Sequence, residues 1–210
     1  MFKQVLAGAT LAMALTVAPA HAMVIFSDNF NTENGGVGAL NYNSFANFAV
    51  SDGTVDLIGN GFFDFPPVTN GHGLYVDLDG STSDAGLMLA DPIAVSPGSY
   101  TLFFQLAGNQ RQGGDDIVAI NLFLDGTNIF TGNILVPQSD GFLGHLIPFE
   151  VASGGDFTFS FQNSGGAVNI GALLDNIAID QVREGRSVPE PASMLLLGSA
   201  FALGLARRRR

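Results

Sequence analysis

Apolar and polar residues alternate with a period of two along much of this chain. The segment Phe157-Thr158-Phe159-Ser160-Phe161-Gln162 puts phenylalanine on one side and hydroxyl or amide groups on the other. Successive side chains of a β-strand point to opposite faces, so this segment predicts a half-buried strand with its phenylalanines in a core. Tyr100-Thr101-Leu102-Phe103-Phe104-Gln105-Leu106 is also strand-like. The run from Ile117 to Leu124, then Asp125-Gly126, then Asn128-Ile129-Phe130 predicts a hairpin, because Asp-Gly accepts the positive φ angles of a two-residue turn. Further strands are expected at residues 24–30, 48–58 with a break at Asp52-Gly53, 73–78, 86–95, 145–151 and 173–179. No stretch between these ends carries a sustained helical apolar stripe. About ten strands joined by Gly-rich turns predict an all-β fold, a sandwich of two antiparallel sheets of jelly-roll type. The absence of a fixed internal period argues against a solenoid or propeller.

The two ends break the pattern. Residues 1–22 carry Lys3, an apolar stretch from Val5 to Val17, and Ala20-His21-Ala22. Small residues at Ala20 and Ala22 have the form of a signal-peptidase site, so a signal peptide cleaved after Ala22 is expected. At the other end, Val188-Pro189-Glu190-Pro191 precedes an apolar run over residues 192–206 and then Arg207 to Arg210. Proline suits the first turn of a helix and stops structure upstream, so the prolines mark a boundary and a C-terminal hydrophobic helix starts near Ala192. That helix is about 22 Å long at ~1.5 Å per residue, short of a ~30 Å hydrocarbon core, and terminal arginines can snorkel to relieve the mismatch. The expected organisation is therefore 1–22 signal peptide, 23–182 ectodomain, 183–187 linker and 188–210 tail.

The ordered tail of Val188, Pro189, Glu190 and Pro191, an apolar segment and a basic end resembles the PEP-CTERM protein-sorting signal. The resemblance implies recognition by exosortase, a membrane protease-transpeptidase that cleaves at or near the motif. It also implies transient membrane residence through the C-terminal helix, then delivery to the cell surface or extracellular polysaccharide matrix of a Gram-negative bacterium.

Charge narrows the partners. Residues 23–182 hold 17 acidic residues and one basic residue, Arg111, a formal charge of −16. Phosphate binding needs clustered Lys and Arg, so nucleic acid is excluded as an expected partner. The chain has no cysteine, which removes disulfides and thiol chemistry.

Asp28-Asn29-Phe30 in the opening strand and Leu174-Asp175-Asn176-Ile177 in the closing one resemble the terminal strands of jelly-roll carbohydrate-binding modules. That resemblance implies a structural Ca²⁺ where the terminal strands lie side by side, with Asp28, Glu33 and Asp175 as its candidate ligands. Ca²⁺ takes six to eight oxygens, which an acidic domain can supply. Asp77-Leu78-Asp79-Gly80 also spaces carboxylates, but it lacks the closing glutamate of a calcium loop and reads as a strand end entering a turn. For sugar contact, Phe62, Phe63 and Phe65 form a candidate aromatic rim, with Asn109 and Arg111 as polar neighbours. Catalysis has little support: His72 and His145 stand alone, and neither Gly-x-Ser-x-Gly nor His-Glu-x-x-His occurs. The expectation is an exported, non-enzymatic sandwich that contacts extracellular polysaccharide. The alternatives are a polysaccharide hydrolase or lyase on the same scaffold, or a purely structural matrix protein.

Overall fold

The computed structural model describes residues 22–66, 68–82, 84–111, 113–165 and 169–182. Apart from Ala22, the expected signal peptide, linker and tail, including Ala20 and Val188 to Pro191, lie outside the described residues. Among the described residues, no helix is long and apolar enough to cross a membrane.

Among these residues twelve strands follow in order: β1 (Ala22–Asp28), β2 (Phe48–Ser51), β3 (Asp56–Gly59), β4 (Leu74–Asp77), β5 (Leu87–Ala90), β6 (Ile93–Val95), β7 (Gly98–Ala107), β8 (Asp116–Leu124), β9 (Thr127–Val136), β10 (Leu143–Val151), β11 (Gly155–Gly165) and β12 (Leu173–Val182). They form two six-stranded sheets. The first has the order β10-β7-β12-β4-β3 with β1 also on β12, and the second has β2-β5-β11-β8-β9 with β6 also on β11. All strand pairings are antiparallel. The fold is the expected two-sheet antiparallel sandwich.

The period-two pattern sets which residues meet between the sheets. Phe157, Phe159 and Phe161 of β11 are fully buried and face Tyr100, Leu102, Phe104 and Leu106 of β7 across one core. Phe104 meets Phe161 edge-on at 4.9 Å, and Phe149 stacks on Phe157 at 4.4 Å. The Asp125-Gly126 turn has φ of 49° and 73°, the paired positive angles of a type I′ hairpin.

The count exceeds the expectation because two expected strands are each split. Residues 48–58 break at Asp52-Gly53, and the halves join different sheets, β2 the second and β3 the first. Gly53 is needed there: its φ is 145°, and an added Cβ would lie 2.5 Å from the Asp84 carbonyl oxygen. Residues 86–95 split at Asp91-Pro92, where proline removes a ladder donor, and β5 and β6 both pair with β11.

A smaller apolar cluster lies on the outer side of the first sheet. Ile58, Tyr75, Ala107 and Leu173 are buried there beneath Phe62, Phe65 and Phe142. The loop after β3 is thus folded onto the sheet, and it closes one end of the outer face.

Candidate functional site: a polar groove where β12 changes partners

Strand β12 has different neighbours along its length. Leu173 and Leu174 pair with β4, whereas residues 177–182 pair with β1. Between them the register with β7 slips from Asp175 to Ala178, and Asn176 takes a positive φ of 49°. Such a bulge bends the strand and re-aims a side chain. The interruption leaves a groove of about 570 Å³ on the outer face of the first sheet. Asp28 and Asn29 at the end of β1, Glu33 and Asn47 from the following loops, and Gln105 and Asn176 supply its polar walls. Phe103 and Ala178 supply an apolar part.

The groove's hydrogen bonds fall into two groups. Asp28 accepts from the Phe30 N–H at 2.8 Å and from Asn47 Nδ2 at 2.8 Å. Glu33, which is buried, accepts from the Ala46 N–H at 2.9 Å and from the Tyr42 hydroxyl at 3.4 Å. These carboxylates pin the loop over residues 42–47 to the sheet. The amides are differently placed: Asn176 Nδ2 donates to Gln105 Oε1 at 2.6 Å and to Asp175 Oδ2 at 3.1 Å.

Behind the groove, Asp175 is fully buried and its Oδ2 lies 2.7 Å from His72 Nδ1. The His72 ring stacks on Phe142 at 4.0 Å. Burial pushes the Asp175 carboxyl up to about 6 despite the hydrogen bond from His72. His72 and Asp175 are 103 positions apart, which is why neither looked partnered in the sequence.

The expected calcium ligands are partly gathered: Asp28 and Glu33 line the groove, and Asp175 sits behind it. Their oxygens are already taken by protein donors, however. Asp175 Oδ1 also accepts the Asn176 N–H at 2.7 Å. Among the described residues no group of three or more His, Cys, Asp or Glu side chains is placed to hold a metal ion.

The expected aromatic rim divides. Phe62 and Phe65 pack down on the outer cluster, while Phe63 is 59% exposed. Asn109 is wholly buried and corrects the expectation of a free polar contact. Its Nδ2 donates to Asp116 at 2.7 Å and to the Gly114 carbonyl at 3.0 Å, and its Oδ1 accepts the Arg111 N–H at 2.8 Å. Arg111 lies over the Phe65 ring at 5.2 Å, pairs with buried Asp77, and donates to the Asn169 carbonyl at 3.2 Å. Asp77 also accepts from the Asp79 and Gly171 N–H groups, so the spaced aspartates serve a turn and an ion pair. Gln105, Asn176, Asn47 and Phe103 were not read from the sequence as site residues. The one available signal was alternation, which puts Phe103 and Gln105 on the outward side of β7.

The fold is similar to the CBM22-1 xylan-binding domain of Paenibacillus barcinonensis Xyn10C, at 9% identity over 79% of this chain and 99% of that one, with a TM-score of 0.50. Lesser similarity extends to the C-terminal CBM6 of LamC from Zobellia galactanivorans (17% identity, 65% and 94% covered, TM-score 0.42) and to a CBM35 from Paenibacillus barcinonensis (18%, 66% and 95%, 0.41). No curated protein matches the chain. Residues 187–210 match the PEP-CTERM protein-sorting motif. The chain therefore joins a sorting motif, which implies export to the cell surface, to a sandwich with the fold of a carbohydrate-binding module.

Proposed function

We propose that this is a non-enzymatic surface or matrix protein that holds an extracellular polysaccharide in the groove at the β12 bulge. The observation that carries the reading is the Gln105–Asn176 amide pair set beside Phe103 in a groove of about 570 Å³. Sugar hydroxyls both donate and accept, as side-chain amides do, and a phenyl ring offers an apolar surface to the C–H face of a pyranose. The formal charge of −16 over residues 23–182 disfavours uronate-rich polymers and favours uncharged ones. Asp28 and Glu33 face the groove but are engaged in holding a loop, whereas glycoside hydrolysis needs two carboxyls free to act on the scissile bond. Delivery follows the tail: a signal peptide cleaved after Ala22, exosortase-type processing near Pro189-Glu190-Pro191, and release or attachment in the matrix.

Binding is tested by retention on insoluble neutral glucans and xylans. Asn176→Ala and Phe103→Ala are each expected to weaken retention by about tenfold, the loss of one good polar or aromatic contact. Phe103→Ala should leave the melting temperature nearly unchanged, whereas Asn176→Ala should lower it, because the amide also donates to buried Asp175 from a positive-φ position. Retention intact in both variants but lost in Phe63→Ala would move the site to the loop after β3. A wild-type protein that binds none of these polymers would leave a structural matrix role in place of this one. A structural Ca²⁺ on Asp28, Glu33 and Asp175 is tested separately by chelator: a lowered melting temperature would support the ion, and an unchanged one would reject it.

A further inference from the structure

Unpaired backbone groups on a sheet edge invite another strand, and proteins usually blunt such edges with short strands, charge, proline or bulges. Most edges here are blunted. Strands β2, β3 and β6 are three or four residues long. Strand β1 has a register irregularity between Val24 and Phe26 and ends on Asp28, and β10 contains Pro148 and Glu150. Strand β9 differs: it has ten residues, no proline and no charged side chain, and its outer side exposes Ile129 (40%) and Leu135 (61%). Its only irregularity against β8 lies at Ile129, so Phe130 to Val136 form a straight ladder with one free side.

We propose that β9 pairs antiparallel with β9 of a second copy of this chain, which joins the two second sheets across a two-fold axis at Gly132. The sequence about Gly132 is self-complementary. Under that axis Phe130 faces Ile134, Thr131 faces Asn133, and Ile129 faces Leu135 of the other copy. Apolar meets apolar and polar meets polar on both faces. Phe130 and Ile134 are half-buried at the margin of the main core, and the pairing completes their burial. The Phe130 ring covers the glycine, since an added Cβ at Gly132 would lie 2.8 Å from it.

Charge selects the place. Two domains of formal charge −16 repel, and β9 gives a ten-residue contact free of carboxylates. An isologous two-fold contact uses the same strip twice, so no second patch is needed on this acidic surface. The inference is independent of the polysaccharide reading, because the groove lies on the other sheet.

The test uses the full chain, in which there is no native cysteine. Thr131→Cys and Asn133→Cys variants are produced separately and together in intact cells under oxidising conditions. A covalent dimer is expected only where both are present, because in this register residue 131 of one copy faces residue 133 of the other. In sedimentation of the detergent-solubilised chain, Leu135→Lys is expected to raise the dimer Kd by about tenfold or more, since a lysine on the edge opposes strand addition. Leu146→Lys, on the exposed side of β10, is the control and should leave the dimer intact. Monomer at every concentration, equal cross-linking in each single variant, or a dimer lost with Leu146→Lys but not Leu135→Lys would each overturn the proposal. Melting temperatures of the lysine variants confirm that both positions tolerate the change.

Discussion

Arg111 is the sole cation of residues 23–182, and it is spent inside the structure. It pairs with Asp77, whose carboxyl is buried, and two more buried carboxylates, Asp79 and Asp116, lie within its electrostatic reach. One guanidinium does not balance this group. Burial pushes Asp77 up to about 7 against the attraction of Arg111, and it raises Asp79 and Asp116 as well. A carboxyl raised on folding binds its proton more tightly in the native state, so its stabilising contribution is complete at low pH and is lost as pH rises. For Asp77 the loss runs between about 4, the unfolded value, and about 7, and for Asp175 it ends near 6. His145, lowered by burial, acts in the opposite sense below its ordinary value, but one half-buried ring opposes four raised carboxyls. The melting temperature is therefore expected to be higher at pH 5 than at pH 8, and Asp77→Asn should flatten that slope. A midpoint that falls steadily on acidification would contradict this account. Arg111→Ala should cost about 2 kcal/mol in denaturant unfolding at pH 8. That is below the ~3–5 kcal/mol typical of breaking a fully buried pair, because the guanidinium is partly exposed. Sequence spacing hid this group, since Asp77 and Arg111 are 34 positions apart; alone, Asp77 read as a strand end entering a turn and Arg111 as a polar neighbour of the aromatic rim.

At the scale of elements, the strand that puts three phenylalanines into the core was also the most legible. Strand β11 packs Phe159 edge-on against Phe26, Phe48 and Phe161 at 5.8 Å each, and it pairs with β5, β6 and β8. Phe159→Ala is expected to cost about 3–5 kcal/mol, the transfer of a phenyl ring plus the cavity left behind, measured by urea unfolding. Thr158→Ala, one position away and facing outward, should cost less than about 1 kcal/mol. Equal losses at the two positions would mean that the strand's faces are misassigned. Local alternation sufficed to place β7, β8 and β11, and Asp125-Gly126 sufficed for the β8–β9 turn, although β9 runs on to Val136, beyond the expected Asn128 to Phe130. What could not be read was any feature made by a change of partner. The groove exists because β12 leaves β4 for β1 at a bulge, and no local pattern in Leu174-Asp175-Asn176-Ile177 encodes which strands lie beside it. The loop phenylalanines failed for a related reason: whether Phe62 and Phe65 face solvent depends on the apolar patch of Ile58, Tyr75, Ala107 and Leu173 beneath them.

At the scale of the whole molecule, the first and last strands of the sandwich are neighbours. Ala22 pairs with Val182 and Asp28 with Ile177, so the chain enters and leaves the domain at one end of the β1–β12 pair. The groove sits at the other end, beside Asp28, about 20 Å along the strand at ~3.3 Å per residue. Val182, the last described residue, is thus separated from the groove by the length of β1, and changes in the tail are expected to leave binding unchanged. This separation gives the sorting reading its own test. In the wild type, the mass of the protein recovered from cells is expected to start at Met23 and end near the Pro-Glu-Pro motif. Replacing Pro189, Glu190 and Pro191 with alanine should leave a membrane-bound form that still ends at Arg210. That form, solubilised, should be retained on neutral polysaccharide as strongly as the processed protein. Normal processing of the variant would sink the assignment of the motif as the processing signal. Correct blockage with lost retention would instead show that the groove depends on the tail, and so contradict the separation that the β1–β12 pairing establishes.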